Sequence, residues 1–340
     1  MLCNELANRG YDLHIGLRRG GVNLNLLNKR VKVHYLGDYK IINPRIFINL
    51  LKLINKIKPD LIQTWLTQMD ILGGIVCAVK SISWIMTERV SELWYEQHKM
   101  ISKIRLLLAK KSMYIVANSN KGIDYYHKKL PNFNNLKVIK NAVDILVIQK
   151  AINENKIVTQ KKYILAVGRL VEQKNFKSLI NAISLLDDIK DIEVMIFGEG
   201  HLLDDLNNYI DYKCLQKTIK INSYCSAWWE LLNNASMLIS LSYYEGSPNV
   251  VMEAMAGKCP LIVSDIDEHR ELLNENSALI VPIDNPKIIS LAINNILNDG
   301  YKAKERALNA YVAISNFTIA QTTNEYEKIY KLILDKKEDI

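Results

Sequence analysis

A chain of 340 residues with 49% hydrophobic content is too long for one ordinary α/β domain and too apolar for a disordered one, and suits two domains of roughly 150–180 residues, each with its own core. Its net charge of +8 is unevenly held: residues 1–141 carry 23 Lys/Arg against 9 Asp/Glu, about +14, which leaves about −6 for the rest, and such a basic first part points to an anionic partner. Five scattered cysteines (Cys3, Cys77, Cys214, Cys225, Cys259) with no C-x-x-C pair, and six histidines with no H-x-x-x-H pair, speak against a disulfide framework and a dedicated transition-metal site.

Short β-rich runs alternate with amphipathic stretches from the start. Strands are expected over Tyr11–Leu17, Val31–Leu36, Leu61–Trp65, Trp84–Thr87, Met113–Ala117 and Lys137–Ile139. Between them, Pro44–Lys58 places Ile46, Leu50, Leu51, Leu53, Ile54 and Ile57 on one helical face. Ile101–Lys111 is read the same way, with Lys103, Arg105, Lys110 and Lys111 on or beside the opposite, solvated side. The pattern weakens and turns polar around Asn141–Gln160, an expected inter-domain connection. It restarts with strands over Tyr163–Val167, Ile192–Phe197, Thr218–Ile221, Met237–Leu241, Leu261–Ser264 and Leu279–Val281. Helices are expected over Phe176–Leu186, Leu202–Tyr212, Ala227–Asn233, Val250–Met255 and Lys287–Leu297, and the last 40 residues read as helical. The alternation implies doubly wound parallel sheets, which bind ligands outside the carboxyl ends of their strands.

No apolar run reaches the ~18–20 residues that cross a bilayer. Met1–Gly10 lacks the basic-then-apolar pattern of a secretion signal. The expectation is a cytoplasmic protein, on the membrane surface at most. The basic part lacks aromatics interleaved with arginine, which argues against nucleic acid as the partner.

Three segments carry chemistry. Ser242-Tyr-Tyr-Glu-Gly-Ser-Pro-Asn-Val-Val-Met-Glu-Ala-Met-Ala256 follows a strand, turns, and enters a helix with Pro248 expected as its first residue. The helix start offers unpaired N–H groups, and Gly246 lets a ligand approach the backbone. Glu245 lies in the loop and Glu253 in the helix, so the two carboxylates suit different parts of one extended ligand. Ala166-Val-Gly-Arg-Leu-Val-Glu-Gln-Lys-Asn175 puts Arg169 and Lys174 at a strand end, a planar fork and a point charge that suit a diphosphate. Phe197-Gly-Glu-Gly-His201 is a glycine-bracketed turn after a strand.

In this order and spacing the three segments resemble the family 4 glycosyltransferases, whose G-R-L…Q-K, G-x-G and E-G-x-P-x-x-x-x-E-A-M-A motifs form a donor-sugar site. Asn4–Leu17, Ala117-Asn-Ser119 and Val138-Ile-Lys-Asn-Ala-Val-Asp144 look like further segments of the family, so the resemblance covers nearly the whole chain. It implies an α/β GT-B fold of two Rossmann-like domains facing a cleft: 1–141 for the acceptor, 142–317 for the nucleotide sugar, and a C-terminal helix in 318–340 crossing back. It implies a retaining, metal-independent hexosyltransferase with no cofactor beyond its donor, a nucleotide-diphosphate sugar of the UDP type. The partner implied is a lipid-linked glycan or polysaccharide acceptor of the bacterial envelope. The basic first part adds the expectation of an anionic membrane surface, reached by the lysines of Ile101–Lys111 with Lys121, Lys128 and Lys129.

Carried over by position, Arg169 and Lys174 neutralise the departing pyrophosphate. Glu245 meets sugar hydroxyls with Gly246, Ser247 and Asn249, and Val250, at the start of the helix, also belongs to the donor site. Glu253 holds the ribose, and Gly168, Gly198 and Gly200 border the nucleotide. No nucleophile dyad is evident, which fits front-face attack with charge stabilisation and positioning. The sequence departs from the family where a histidine is usual near the reacting sugar. Trp84-Ile-Met-Thr-Glu-Arg-Val90 offers Glu88 or Arg89 there, and Trp65-Leu-Thr-Gln68 offers Gln68. Asp265-Ile-Asp267 has the D-x-D form of metal-dependent transferases but follows a C-terminal strand where the family carries a similar Asp, and Glu271 matches the Glu that follows. Two other readings stay open: a nucleotide-sugar 2-epimerase on the same fold, and a binding module that has lost activity. The family opens with a strand and a glycine-rich loop before the helix that here begins at Met1. The expectation is therefore that about 20–25 residues precede this start, enough for such a strand and loop.

Overall fold

The computed structural model describes residues 1–37, 43–89, 95, 98–154, 162–187 and 192–338. Val90 and residues 155–160, which the sequence reading touches, lie outside them. The chain forms two compact units, one of 1–142 with 319–340 and one of 143–318. Both are α/β with parallel strands.

In the first unit, β1 (His14–Leu17) pairs only with β2 (Lys32–Tyr35) among the described residues. A second ladder runs β3 (Leu61–Trp65), β4 (Ser83–Glu88), β5 (Tyr114–Ala117), β6 (Leu136–Val138). The first helix, α1, spans Leu2–Asn8. Helix α2 (Pro44–Ile57) starts where Asn43 accepts from the Arg45 amide and Pro44 supplies a preset φ, and stops at Lys58, which turns left-handed at φ 52°. Its Ile46, Leu50 and Ile54 are buried, as the periodicity requires. Helices α3 (Thr67–Lys80), α4 (Lys99–Ala109) and α5 (Asn120–Lys129) follow β3, β4 and β5. The long helix α13 (Ile319–Glu338) buries Tyr326, Ile329, Tyr330 and Ile333 against Leu6, Ile85 and Val116. Arg9, just past α1, ties to it through Glu327 at 2.6 Å.

Helix α4 departs from the reading of Ile101–Lys111. Its buried residues are Ser102, Arg105 and Ala109, while Met100, Ile104 and Leu107 are exposed. Periodicity locates an apolar stripe but not which way it faces, and here buried ionic partners pull Arg105 inward.

The second unit is a six-stranded sheet in the order β12 (Leu279–Val281), β11 (Leu261–Ser264), β10 (Met237–Ser240), β7 (Lys162–Val167), β8 (Ile192–Phe197), β9 (Ile219–Asn222). Alternate residues of β7 feed two cores. Ile164 and Ala166 meet α7 (Phe176–Ile183), α8 (Leu203–Tyr212) and α11 (Pro286–Asn298). Tyr163, Leu165 and Val167 meet α6 (Ile145–Glu154) and α9 (Asn249–Ala256). Each fully buried Leu or Ile contributes roughly 1.5–3 kcal/mol. Helix α6 corrects the reading of Asn141–Gln160 as a polar connection: Ile148 and Ile152, one turn apart, are buried. The segment expected as a helix over Ala227–Asn233 is a 3₁₀ turn over Ser226–Leu231. A short helix α10 (Asp267–Arg270) follows β11, and α12 (Gly300–Ile314) closes the unit. Strand order reverses between β7 and β10, so the loops after these two adjacent strands flank the switch point where such sheets take ligands.

Candidate functional site

The loop after β7 and the loop after β10 are joined by two side chains of one short turn. Gln173 Nε2 donates to Tyr244 O at 2.7 Å, and the Tyr243 amide donates to Gln173 O at 2.9 Å. The next residue, Lys174, places its ammonium 2.5 Å from Glu245 Oε1. Ser242 Oγ donates to the same oxygen at 2.6 Å, and Ser264 Oγ at the end of β11 donates to Ser242 O at 2.6 Å. Glu245 is 7% exposed, so its charge is held by a cation and a hydroxyl in a largely dry place.

His269 on α10 stands behind this group. Its Nδ1 donates to Ser264 O at 2.8 Å, while its buried Nε2 has no partner among the described residues. Burial lowers its pKa, with Glu245 and Lys174 as opposing charged neighbours. An imidazole with a proton on Nδ1 presents a lone pair at Nε2.

The glycines of Phe197–His201 are explained by backbone contact. A Cβ on Gly198 would lie 1.9 Å from Gly168 O, and one on Gly200 would lie 2.2 Å from Leu170 O. The Leu170 amide donates to Glu199 O at 2.8 Å and the Gly168 amide to Phe197 O at 2.9 Å. The two loops interlock, and this fixes the stretch that carries Arg169 and Lys174. Arg169 is exposed, and Nη2 donates to Gln173 Oε1 at 3.2 Å.

Helix α9 begins at Asn249, with Pro248 as its N-cap instead of its first helical residue, a one-residue shift. Gly246, Ser247 and Val250 are half-buried and Asn249 is exposed. Ser247 Oγ lies 3.6 Å from Met252 Sδ. Four residues into the helix, Glu253 Oε2 accepts from Trp229 Nε1 at 3.2 Å. Burial pushes the Glu253 carboxyl up to about 7. Asp265 is gripped by Arg270, whose Nη2 lies 3.0 Å from Oδ2. Among the described residues no group of three His, Cys, Asp or Glu is placed to hold a metal ion.

The structure brings Lys174 and Glu245 together, with Gly168, Gly198 and Gly200 shaping the loop that carries Lys174. The sequence reading missed Ser242, Gln173, Trp229 and His269. Ser242 and Gln173 sat inside quoted motifs, but nothing in their spacing said which atom they would touch. Trp229 and His269 had no local signal.

In the first unit the candidates divide. Glu88 is 1% exposed and sits in a buried ionic cluster. It accepts from Tyr95 Oη at 2.6 Å, Tyr126 Oη at 2.8 Å and Arg105 Nη1 at 2.5 Å. Arg105 also grips Asp70 through Nε at 2.8 Å and Nη2 at 2.6 Å. Burial outweighs that cation and pushes Asp70 up to about 6. Arg89 lies outside the cluster. Its guanidinium stacks 4.5 Å over the Trp65 ring and donates to Tyr326 Oη at 3.0 Å and to Asn141. Gln68 is exposed on the first turn of α3. The residue before that helix, Leu66, adopts φ 73° and ψ 147°, a conformation costly for a side chain with a Cβ and typical of functional loops.

Residues 147–312 match the family described as Glycosyl transferases group 1, and residues 1–119 match Glycosyl transferase 4-like. The chain is 30% identical over 181 residues to a Campylobacter jejuni N-acetylgalactosamine-N,N'-diacetylbacillosaminyl-diphospho-undecaprenol 4-alpha-N-acetylgalactosaminyltransferase, across 50% of this chain and 48% of that relative. It therefore spans about half the length of that protein. It is 24% identical over 320 residues to an Escherichia coli UDP-Gal:alpha-D-GlcNAc-diphosphoundecaprenol alpha-1,3-galactosyltransferase, across 86% and 82% of the two chains. Among solved structures it resembles sucrose-phosphate synthase from Thermosynechococcus elongatus (TM-score 0.86, 16% identity, 98% and 92% covered). It also resembles Anabaena HepE in complex with UDP and glucose (TM-score 0.83, 16% identity, 97% and 94% covered). These two share the GT-B fold with this chain.

Proposed function

The chain belongs to the group 1, family 4-like glycosyltransferases, and on that premise we propose that it moves a hexose or N-acetylhexosamine from a UDP-type nucleotide sugar to a lipid-linked or polysaccharide acceptor of the bacterial envelope. The observation that carries this is the joined pair of loops after β7 and β10, which sets Lys174 and Glu245 against each other with Glu253 eight residues beyond Glu245, in α9.

In this reading Lys174 and Arg169 take the pyrophosphate, and their charge grows in value as the leaving group forms. Glu245 exchanges part of its present bonding for sugar hydroxyls. Glu253, held by Trp229, accepts from the ribose hydroxyls. The first turn of α9 presents amides to the anionic donor. Lys174 and Arg169 neutralise the leaving group themselves, so transfer proceeds without a divalent ion. Reaction occurs on one face of the sugar, with retention at the anomeric carbon and the departing phosphate as base. Arg89, stacked on Trp65, lines the acceptor side with Gln68. The acceptors named for the Campylobacter and Escherichia relatives are diphospho-undecaprenol glycans, and they support a lipid-borne acceptor and work at the cytoplasmic membrane surface.

The test is transfer from a panel of UDP-sugars to a diphospho-undecaprenol-linked sugar, with the product anomer read by NMR. An α-linked product from an α-linked donor, formed equally in EDTA, is expected. An inverted product, or loss of transfer in EDTA restored by Mn²⁺, would overturn the mechanism. Interconversion of the sugar without acceptor would favour an epimerase.

A further inference from the structure

Two buried residues, Ser264 and His269, anchor Glu245 without touching it. Ser264 ends β11, His269 lies on α10, and both are 0% exposed. Ser264 O accepts from His269 Nδ1 at 2.8 Å, and Ser264 Oγ lies 3.4 Å from the same nitrogen. Ser264 Oγ donates to Ser242 O at 2.6 Å, and Ser242 Oγ donates to Glu245 Oε1 at 2.6 Å. A chain of buried groups thus runs from an imidazole to a carboxylate, across the ends of the paired strands β11 and β10.

The proton on Nδ1 gives this chain its direction. The carbonyl oxygen beside Nδ1 only accepts, so Nδ1 donates. A nitrogen that donates cannot take the Ser264 hydroxyl proton, and that proton goes to Ser242 O. With the proton on Nε2 instead, two lone pairs would face each other at Ser264 O, and the Ser264 hydroxyl would turn to Nδ1 and release Ser242. The other nitrogen favours the same choice. Nε2 is buried without a partner among the described residues, and an N–H placed there would go unbonded. Burial also opposes the doubly protonated ring. Space filling does not call for a histidine, since an apolar side chain would leave no nitrogen unpaired. At the far end of the chain, Lys174 and Ser242 both bond Oε1 of Glu245, and Oε2 accepts no hydrogen bond among the described residues.

We propose that His269 and Ser264 are positioning residues of the transfer site: they fix the Ser242 loop, so that Oε1 of Glu245 is clamped and Oε2 is left to the donor sugar. This rests on the reading of Glu245 as a sugar contact. Neither residue touches the ligand, so losing either should slow transfer and spare the nucleotide, whose diphosphate falls to Arg169 and Lys174.

The test measures kcat, donor KM, UDP affinity and melting temperature of the whole protein. His269→Asn keeps a donor at the position of Nδ1, whereas His269→Gln moves its amide toward Nε2 and leaves none there. His269→Gln and Ser264→Ala are expected to lower kcat about 10–100-fold, with UDP affinity within about threefold of wild type, and His269→Asn to recover most of the rate. In a Glu245→Ala background His269→Gln should cost nothing further. An equal fold-loss in both backgrounds, an Asn variant as slow as the Gln variant, or UDP affinity falling in step with kcat would overturn the proposal. Nitrogen NMR of histidine-labelled wild type, assigned by the signals that His269→Asn removes, reads the ring without substrate and whether or not the variants fold. A proton on Nδ1 is expected, and a proton on Nε2 would overturn the proposal. A proton on Nδ1 in a protein that binds UDP but transfers no sugar would count against the transfer reading alone.

Discussion

The Lys174 ammonium and the Glu245 carboxylate meet at 2.5 Å, each on a loop from a neighbouring strand. The pair closes the ligand end of the second unit across its switch point. A diphosphate arriving there gains a cation already held in place by a partner that need not move far. Lys174→Met removes that cation and leaves Glu245 buried without its opposite charge. The expected outcome is a loss of UDP affinity of about 10–100-fold, read by calorimetry, since a hydrogen bond to a charged group is worth about 1.5–3 kcal/mol. Unchanged affinity would place the pyrophosphate elsewhere.

The interlocked glycine turn gives a sharper steric test. Gly198→Ala forces a Cβ to within 1.9 Å of Gly168 O. The loop carrying Arg169 and Lys174 must move, at about 1–3 kcal/mol for overpacking of this kind. The melting temperature and UDP affinity should fall together. Gly300→Ala is the control: nothing lies within 4 Å of its would-be Cβ, and stability should change by no more than about 0.5 kcal/mol.

Glu253 supplies a pH dependence. Its carboxyl is raised by burial to about 7 in the folded protein, above its value in an unfolded chain. If Glu253 accepts from the donor as proposed, it does so in its ionised form, and KM for the donor should rise as pH falls below about 7, approaching tenfold per pH unit. The sign for stability is opposite to that of a salt-bridged carboxylate. The unfolded chain gives up this proton at lower pH than the folded one, so wild type loses stability as pH climbs toward 7. Glu253→Gln should flatten the KM profile and gain about 1–3 kcal/mol over wild type between about pH 5 and about pH 8. A pH profile of KM that the variant leaves unchanged would remove Glu253 from the nucleotide site.

The ionic cluster of the first unit should behave as structure. Arg105→Met leaves Asp70 and Glu88 uncompensated and should cost about 3–5 kcal/mol in denaturant unfolding. Glu88→Gln should cost less, and the remaining activity should follow the folded fraction. A Glu88→Gln protein with wild-type stability and no turnover would instead place Glu88 in the chemistry.

The sequence was read most successfully where a pattern is local. Period-2 and period-3.6 runs located most strands and helices, because exposure of an apolar face is costly along the whole element. That the loops after β7 and β10 carry related chemistry was legible because Gly, Lys, Arg and Glu stood at strand ends in fixed spacing, and the structure puts Lys174 and Glu245 of those loops in contact. The inward Arg105 was not legible. Its partners Asp70 and Glu88 lie 35 and 17 residues away, and helical periodicity ranks an arginine as solvent-facing. His269 was silent for a similar reason, since its meaning comes from Ser264 and from a neighbouring strand's loop. Helix α6 was missed because its run of Ile145–Glu154 adjoins polar residues that diluted the pattern.

The central claim is that Glu245 and its loop form the sugar-transfer site, and turnover of Glu245→Ala in steady-state transfer from the preferred UDP-sugar tests it most directly. UDP release coupled to acceptor should fall about 10²–10³-fold, as for loss of one charged contact to a transition state, while the melting temperature stays near wild type and the acceptor is unchanged. Transfer at wild-type rate by a folded Glu245→Ala protein would contradict it.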